Sequence, residues 1–255
     1  MISFIGAGPG AADLLTLRAI DRLARADVVL WAGSLVATEV LAHCRADATL
    51  LDTKAMTFED VTSVYAAHPE ANIARLHSGD PSLFSTISEQ IEWCLQHERA
   101  FEVVPGVSSV GAAAAAAGLE LTVPGISQSV VVTRPARRTA ASLGGGDDLL
   151  AYAAQGGVIA LLLSAGDPHH LQSSLLQPGS AFTVDTPALI AYHVSWPDEQ
   201  VVFTTAGQLA SELSERSIST SALILIGDAL ARGGRQSHVY DAGYSHRHRS
   251  AGAQT

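Results

Sequence analysis

The sequence predicts an α/β protein of two domains, the first built on a mainly parallel sheet and the second on a mixed sheet. Short apolar strands alternate with helical stretches over residues 1–120, which is typical of a parallel sheet with crossover helices. Beyond residue 120 the strand candidates come at uneven spacing. The 255 residues, 47% of them hydrophobic, suffice to fill two cores of ordinary size.

The first domain is expected over residues 1–120. Its first helix follows a glycine-rich turn, and Asp13 is expected to lie in the first helical turn, where its charge suits the helix dipole. An alanine-rich helix is predicted over Val107–Gly118. The strand candidates are Ile2–Ile5, Asp27–Trp31, Ile73–His77 and Phe101–Val104.

The second domain is expected over residues 121–249, after a turn at Pro124-Gly125. Its strands suit a partly antiparallel sheet, and residues 250–255 are expected to form a flexible tail. The strand candidates are Ser127–Thr133, Val158–Ser164, Ala188–Val194, Gln200–Thr204 and Ala222–Gly227.

Composition and charge exclude several classes of protein. A formal charge of −10 argues against binding to a nucleic-acid backbone, which needs clustered lysines and arginines. The longest apolar runs have strand length and are too short to span a membrane. No basic leader precedes the first glycine, and Cys44 and Cys94 form no C-x-x-C pair, so a cytoplasmic protein without a metal site is expected.

The first glycine turn, Gly6-Ala7-Gly8-Pro9-Gly10, follows a strand and precedes a helix. Together with Ala11 it fits the G-x-G-x-x-G/A pattern of dinucleotide-binding proteins. That interpretation also needs an acidic residue at the end of the second strand, where the sequence has Ala32-Gly33-Ser34, and Pro9 lacks an N–H for a pyrophosphate. A dinucleotide-dependent oxidoreductase and a purely structural turn remain as alternatives.

Two further glycine turns follow the third and fourth strand candidates, at Gly79-Asp80 and at Gly106-Val107-Ser108-Ser109. In a parallel sheet the carboxyl ends of the strands share one edge, where ligands bind. Asp80 can instead cap the following helix, and Ser108 and Ser109 can be N-caps. Convergence of three such turns favours a ligand site.

Together these turns resemble motifs of the tetrapyrrole methylases of cobalamin biosynthesis. The resemblance covers residues 1 to about 249 in collinear order, and two later segments, Ser195–Glu199 and Ser237–His246, are typical of one subgroup. The motifs are Gly6–Gly10, Ala32–Leu35, Gly79–Leu83, Pro105–Ser109 and Ser127–Arg134.

The resemblance implies a methyltransferase, usually a homodimer, that holds S-adenosyl-L-methionine folded in a cleft between its two domains. In the first domain the implied cofactor-binding residues are Pro9, Gly79, Asp80, Leu83, Ser108 and Ser109. In the second domain they are Leu163, Tyr192 or its neighbour Ala191, Ser221 and Ala222, with adenine as the expected ligand group.

The resemblance also implies an anionic tetrapyrrole substrate. Arg134 and Arg138 are expected to bind its carboxylates, although both can be solvated loop residues. No catalytic side chain is assigned, because methyl transfer from a sulfonium needs little beyond orientation and electrostatic support. A non-catalytic member therefore remains an alternative, and the sequence does not decide whether the substrate already carries cobalt.

Overall fold

The computed structural model describes residues 1–135, 148–231, 233–234 and 237–250. The chain divides into two compact units, one formed by residues 1–116 with residues 193–200 and the other by residues 117–192 with residues 201–255. The division after Ala116 lies near the expected boundary at residue 120. Residues 193–200 were expected in the second domain and instead group with the first unit, because they pack on its first glycine turn.

The first unit contains a five-stranded sheet in the order β3-β2-β4-β1-β5, and each strand runs parallel to its neighbours. Its strands are β1 (Ile2–Gly6), β2 (Val28–Trp31), β3 (Thr49–Asp52), β4 (Ile73–His77) and β5 (Phe101–Val104). Its helices are α1 (Leu17–Arg25), α2 (Phe58–Ala67), α3 (Ser88–Gln96) and α4 (Ser109–Ala117), with 3-10 turns at Ala12–Leu14 and Thr38–His43.

Both faces of this sheet are covered, as expected for a parallel sheet. Alternate strand residues such as Ile5 and Leu76 pack with Ala19 and Leu23 of α1. The other face carries Ile2, Phe4 and Ile73, which pack with residues of α2 and α3. Burial on both faces explains why β1 has apolar residues facing both sides, with Ile2 and Phe4 on one side and Ile5 on the other.

Capping of α1 differs from the expectation. Thr16 is the N-cap residue, and its hydroxyl accepts a hydrogen bond from the Ala19 amide at 3.1 Å. Asp13 lies instead in the preceding 3-10 turn. The prediction was wrong because the helix begins only at Leu17, one residue after a good capping side chain.

The second unit contains a mixed sheet in the order β6-β7-β10-β8-β9. The strands β6 and β7 are parallel, and β10 runs antiparallel to both β7 and β8. Helices α5, α6 and α7 cover one face, where residues such as Leu171 and Leu213 pack on Ile190 and Ile224. The elements are β6 (Val130–Thr133), α5 (Leu149–Ala153), β7 (Val158–Leu161), α6 (Pro168–Leu175), β8 (Pro187–Tyr192), β9 (Gln200–Thr205), α7 (Leu209–Glu215) and β10 (Ala222–Ile226), with 3-10 turns at Ala206–Gln208, Asp228–Leu230 and His238–Tyr240.

The predicted fold class is confirmed: the first sheet is parallel and the second is mixed. The expected tail cannot be compared, since residues 251–255 lie outside the described part of the chain.

Candidate cofactor site

Three glycine turns lie side by side at the carboxyl edge of the first sheet. They follow β4, β1 and β5, which are adjacent and parallel. The Ala7 amide donates to the His77 carbonyl at 2.8 Å, which continues the pairing of β1 with β4. Gly8 and Gly79 then form a two-bond bridge, with N–O distances of 3.2 and 2.7 Å. The backbone of the first two turns is therefore fixed as one unit.

Two of the glycines are required by backbone packing. A Cβ on Gly6 would lie 2.5 Å from the Gly106 Cα, and a Cβ on Gly106 would lie 2.2 Å from the Gly79 carbonyl oxygen. Both clashes involve backbone atoms, which cannot rotate away as a side chain can. Gly6 and Gly106 thus allow the three turns to touch, whether or not a ligand is bound.

Gly79 has a different environment. Its φ of +67° lies in the left-handed region that favours glycine. A Cβ there would meet nothing closer than the Ser109 nitrogen at 3.7 Å, so a side chain would project over the first residues of α4. The space beside Gly79 is therefore not filled by closely packed protein atoms, and its contact with a cofactor stays a prediction.

Asp80 holds the second and third turns together. One oxygen of its carboxylate accepts from the Gly106 amide at 2.8 Å, and the other accepts from the Ser82 amide at 2.8 Å. Partial burial alone would raise the pKa of this carboxyl, but the two amide hydrogen bonds outweigh burial and lower the pKa below its ordinary value. Asp80 is therefore an anion engaged by the backbone, and it does not cap a helix at this position.

The third turn leads into α4. Ser108 and Ser109 are half-buried, and the Ser108 hydroxyl accepts a weak hydrogen bond from the Val110 amide at 3.3 Å. The first amides of a helix have no partner within that helix, and the helix dipole makes them attractive to a carboxylate. The start of α4 beside Gly79 thus offers donors for an anionic ligand group.

Pro9 and Leu83 flank these turns. Pro9 is buried, and its carbonyl accepts a hydrogen bond from the Trp196 indole nitrogen at 2.9 Å. Leu83 is half-buried, and its amide donates to the Asp80 carbonyl at 3.2 Å. A cavity of about 520 Å³ opens beyond Leu83 and is lined by Pro81, Ser82, Phe84, Ser85, Thr86, Ile87, Ser88, Ile91 and Val103.

In the second unit the predicted residues share one edge of the sheet. Ala222 pairs directly with Tyr192 across β10 and β8. Leu161 pairs with Ile224, so Leu163 lies at the same end of the sheet. Their exposure is graded, since Ala222 is buried and Tyr192 is half-buried while Leu163 and Ser221 are exposed.

Two of these residues have strained backbone. Leu163 has a φ of +55° and Ser221 a φ of +53°, which are uncommon values for residues with a Cβ. Such conformations often mark functional sites. A leucine that is 69% exposed also leaves apolar surface for a flat ligand such as a purine.

The structure also bears on the dinucleotide alternative. The strand β2 ends at Trp31, and the turn after it is closed by the Gly33 amide, which donates to Asp52 of β3 at 3.0 Å. Hydrogen bonds from the Gly33 and Lys54 amides lower the pKa of Asp52. Asp27 lies at the opposite end of β2, where it forms an ion pair with Arg45. Asp52 thus accepts hydrogen bonds from backbone amides and Asp27 pairs with an arginine, so both carboxylates are bound by groups of the protein itself.

Metal and membrane features are absent from the described residues. Within residues 1–135, 148–231, 233–234 and 237–250, no three His, Cys, Asp or Glu side chains are grouped so that they could hold a metal ion. In the same ranges, every helix is too short or too polar to cross a bilayer.

The comparisons with known proteins identify the family. The family model described as "Tetrapyrrole (Corrin/Porphyrin) Methylases" matches residues 1–210. The chain belongs to the tetrapyrrole methylases. This confirms the family predicted from the glycine turns.

Relatives named Precorrin-4 C(11)-methyltransferase match this tetrapyrrole methylase along nearly their full length. A Precorrin-4 C(11)-methyltransferase from Sinorhizobium sp is 41% identical over 254 residues, which cover 98% of this chain and 99% of the relative. A solved cobalt precorrin-4 methyltransferase superposes with a TM-score of 0.85 at 36% identity, covering 90% of this chain and 95% of the other. A uroporphyrin-III C-methyl transferase from Thermus thermophilus, complexed with S-adenyl homocysteine, has a TM-score of 0.75 at 27% identity and covers 90% and 98%.

Of the two arginines predicted to bind the substrate, Arg134 lies within the described residues. Arg134 follows β6 directly and is half-buried. Arg138 lies outside the described residues. The pairing of the two arginines thus stays a prediction for this tetrapyrrole methylase.

Two features of the tetrapyrrole methylase were not predicted as functional. One is the packing of Ser195 and Trp196 on the first turn, which joins residues more than 180 positions apart. The only signal in the sequence was the Ser195–Glu199 motif. The other is His77, the last residue of β4, whose Nε2 is buried without a hydrogen-bond partner among the described residues.

Burial keeps His77 uncharged. Desolvation, with a smaller contribution from the Arg75 charge, lowers the pKa of His77 to about 3. Its ring lies 6.2 Å from that of Phe4, centroid to centroid. Since the residue is neutral at physiological pH, it acts in this edge as a packing side chain rather than as a charge.

Proposed function

We propose that this tetrapyrrole methylase transfers a methyl group to C11 of precorrin-4, giving precorrin-5 in cobalamin biosynthesis. The observation that carries the proposal is the end-to-end likeness to a relative of that name, at 41% identity over 98% of this chain. S-adenosyl-L-methionine is the methyl donor. The three glycine turns support the proposal because they offer the donors and open backbone that such a cofactor needs.

The reaction balances without a metal or a redox partner. S-adenosyl-L-methionine supplies a methyl group already activated on a sulfonium centre. An electron pair of the macrocycle forms the new bond at C11, the pair of the broken carbon–sulfur bond stays on sulfur, and the macrocycle releases one proton. The protein is left with binding, orientation and exclusion of water, and we assign no catalytic side chain.

In the first unit, six residues are proposed to bind the cofactor. Gly79 provides open space, and the first amides of α4 at Ser108 and Ser109 suit the methionine carboxylate. Asp80 acts mainly by holding the Gly106 amide in place. Pro9 and Leu83 supply apolar contact beside these groups.

In the second unit, Leu163, Tyr192, Ser221 and Ala222 are proposed as the adenine-contacting surface. Their placement at one end of the sheet supports this, as do the strained backbones of Leu163 and Ser221. Adenine recognition suits an exposed leucine beside an aromatic ring, since the purine face is apolar and its edges accept backbone hydrogen bonds.

The substrate carries acetate and propionate side chains, and the chain itself has a charge of −10. Local positive charge must therefore offset long-range repulsion. We assign this role to Arg134, directly after β6, and to Arg138 on the basis of the family motif. Guanidinium groups bind carboxylates in a bidentate manner, which also orients the macrocycle.

The proposal extends to location and assembly. Two free cysteines, Cys44 and Cys94, suit a reducing compartment such as the cytoplasm. A homodimer is expected from the family resemblance, and analytical ultracentrifugation of the purified chain would test it: a single species at the monomer mass would contradict it.

The activity is tested with S-adenosyl-L-methionine labelled with ¹³C on the methyl group. Purified enzyme is incubated separately with precorrin-4, cobalt-precorrin-4 and uroporphyrinogen III, and the products are analysed by NMR. We expect one new labelled methyl group, on C11 of precorrin-4. If cobalt-precorrin-4 is turned over faster than precorrin-4, the cobalt-containing compound is the natural substrate. Label that remains on the cofactor in all three mixtures would contradict the methyltransferase function.

A further inference from the structure

The first glycine turn is held from outside by residues 193–200, which group with the same unit. The Trp196 indole nitrogen donates to the Pro9 carbonyl at 2.9 Å. The Ala11 amide donates to the Ser195 hydroxyl at 2.9 Å. One carbonyl and one amide of the turn, two residues apart, are thus satisfied by two consecutive side chains.

The holding segment is itself fixed in shape. Ser195 has a φ of +67°, an uncommon conformation for a residue with a Cβ, and its amide donates to the Glu199 carboxylate at 2.6 Å. The Trp196 amide donates to the His193 carbonyl at 2.9 Å, and the His193 ring stacks on the indole with centroids 5.4 Å apart. An ordered turn of this kind presents the indole and the hydroxyl in a single orientation.

Gly10 and Trp196 interlock. A Cβ on Gly10 would lie 2.2 Å from Cδ1 and 2.4 Å from Nε1 of the indole, and 3.0 Å from the Ser195 hydroxyl. Gly10 does not have a positive φ, so backbone conformation does not explain why position 10 is a glycine. The indole occupies the space that a side chain at position 10 would take.

We infer that Trp196 and Ser195 are positioning residues for cofactor binding. By satisfying the Pro9 carbonyl and the Ala11 amide, they fix the turn that carries Pro9 and pairs with Gly79 through Gly8. This inference rests on the proposed function, in which Pro9 and Gly79 contact the cofactor.

The test measures S-adenosylhomocysteine binding by calorimetry in the single variants Trp196→Phe, Trp196→Ala, Ser195→Ala and Gly10→Ala and in the double variant Gly10→Ala/Trp196→Ala. Phenylalanine keeps an aromatic ring and removes the indole N–H. We expect Trp196→Phe and Ser195→Ala each to weaken binding about five- to tenfold, the effect of one hydrogen bond. The matched control is Trp93→Phe, because Trp93 lies on α3 and stacks on His97 instead of on a glycine turn.

The double variant tests the interlock. The methyl group of Gly10→Ala should weaken binding strongly when the indole is present, and should add little to the loss caused by Trp196→Ala alone. In kinetics, Trp196→Phe should raise KM for S-adenosyl-L-methionine while KM for the tetrapyrrole and kcat stay near the parent values. A merely structural tryptophan would not produce that split.

The outcomes separate the two proposals. Wild-type protein that does not bind S-adenosylhomocysteine would contradict the proposed function. If the wild-type protein binds S-adenosylhomocysteine, and Trp196→Phe and Ser195→Ala bind it as tightly as the wild type does, the proposed function stands and the positioning role is overturned. Fully additive losses in the double variant would overturn the interlock. If Trp196→Phe fails to fold, Ser195→Ala decides by the same criterion.

Discussion

Replacement of Gly106 by alanine is expected to break the junction of the three glycine turns. The new Cβ would lie 2.2 Å from the Gly79 carbonyl oxygen and 2.7 Å from the Gly6 Cα. Carbon atoms in contact normally lie about 3.5 Å or more apart. All of these neighbours are backbone atoms in strands or turns, so the strain can be relieved only by moving β1 or β4 relative to β5.

The magnitude follows from two contributions. Overpacking costs about 1–3 kcal/mol even where side chains can adapt. Displacement of Gly106 also weakens the hydrogen bond from its amide to the Asp80 carboxylate, and bonds to charged groups contribute about 1.5–3 kcal/mol. We therefore expect the free energy of unfolding of the first unit to fall by about 3–5 kcal/mol, a large part of the stability of an ordinary domain.

The assay uses urea unfolding followed by tryptophan fluorescence. All three tryptophans, Trp31, Trp93 and Trp196, belong to the first unit, so this signal reports on that unit alone. The matched control is Gly111→Ala on α4, where a Cβ would meet nothing within 4 Å and alanine should stabilise the helix by about 0.5–1 kcal/mol. Equal stability of the Gly106 and Gly111 variants would refute the packing argument.

Three further predictions concern His77, Asp80 and Arg134. Because the pKa of His77 is about 3 in the folded protein and 6.5 unperturbed, the unfolded chain binds an extra proton between these values. The contribution of neutral His77 to the free energy of unfolding is therefore fully present above pH 6.5. It is lost as the pH falls toward 3, by up to about 1.4 kcal/mol per pH unit. In His77→Leu the urea midpoint should therefore fall less steeply with pH between pH 6.5 and 4 than in the wild type. The same pH dependence in both proteins would contradict this. Asp80→Asn should lower stability by about 1–2 kcal/mol at pH 7, since an amide can accept from only one of the Gly106 and Ser82 amides and solvent screens the rest. The lowered pKa of Asp80 predicts that this difference is present above about pH 4 and shrinks as pH falls further, and a difference that grows in acid would argue against it. Arg134→Ala should raise KM for precorrin-4 about tenfold or more and leave S-adenosylhomocysteine affinity unchanged by calorimetry, whereas equal loss of both would indicate misfolding.

The sequence predicted those elements whose signal is local. The strand β1 is a mostly apolar run that ends at Gly6, and β4 is a largely buried run that Ser78-Gly79 follows. Both were found nearly to the residue. The strand β3 was missed because Thr49 and Leu50 are exposed at the sheet edge, where burial imposes no pattern. An edge strand pairs with only one other strand and is partly exposed, so its sequence carries only a weak hydrophobic pattern.

The site was predicted less completely, because its contacts are long-range. Gly79 and Ser108 were recognised as parts of one edge from the topology of a parallel sheet. That Asp80 binds the Gly106 amide, 26 residues later, depends on how two turns meet in space. The contact of Trp196 with Pro9, 187 residues apart, could not be read from either segment alone.

The central claim is that the three glycine turns form a binding surface for S-adenosyl-L-methionine rather than for a dinucleotide. A crystal structure of the protein with S-adenosylhomocysteine tests it most directly. We expect density for the methionine part beside Gly79 and the start of α4, at Ser108 and Ser109. Density elsewhere, such as in the cavity lined by Phe84 and Ile91, with these residues untouched, would contradict it.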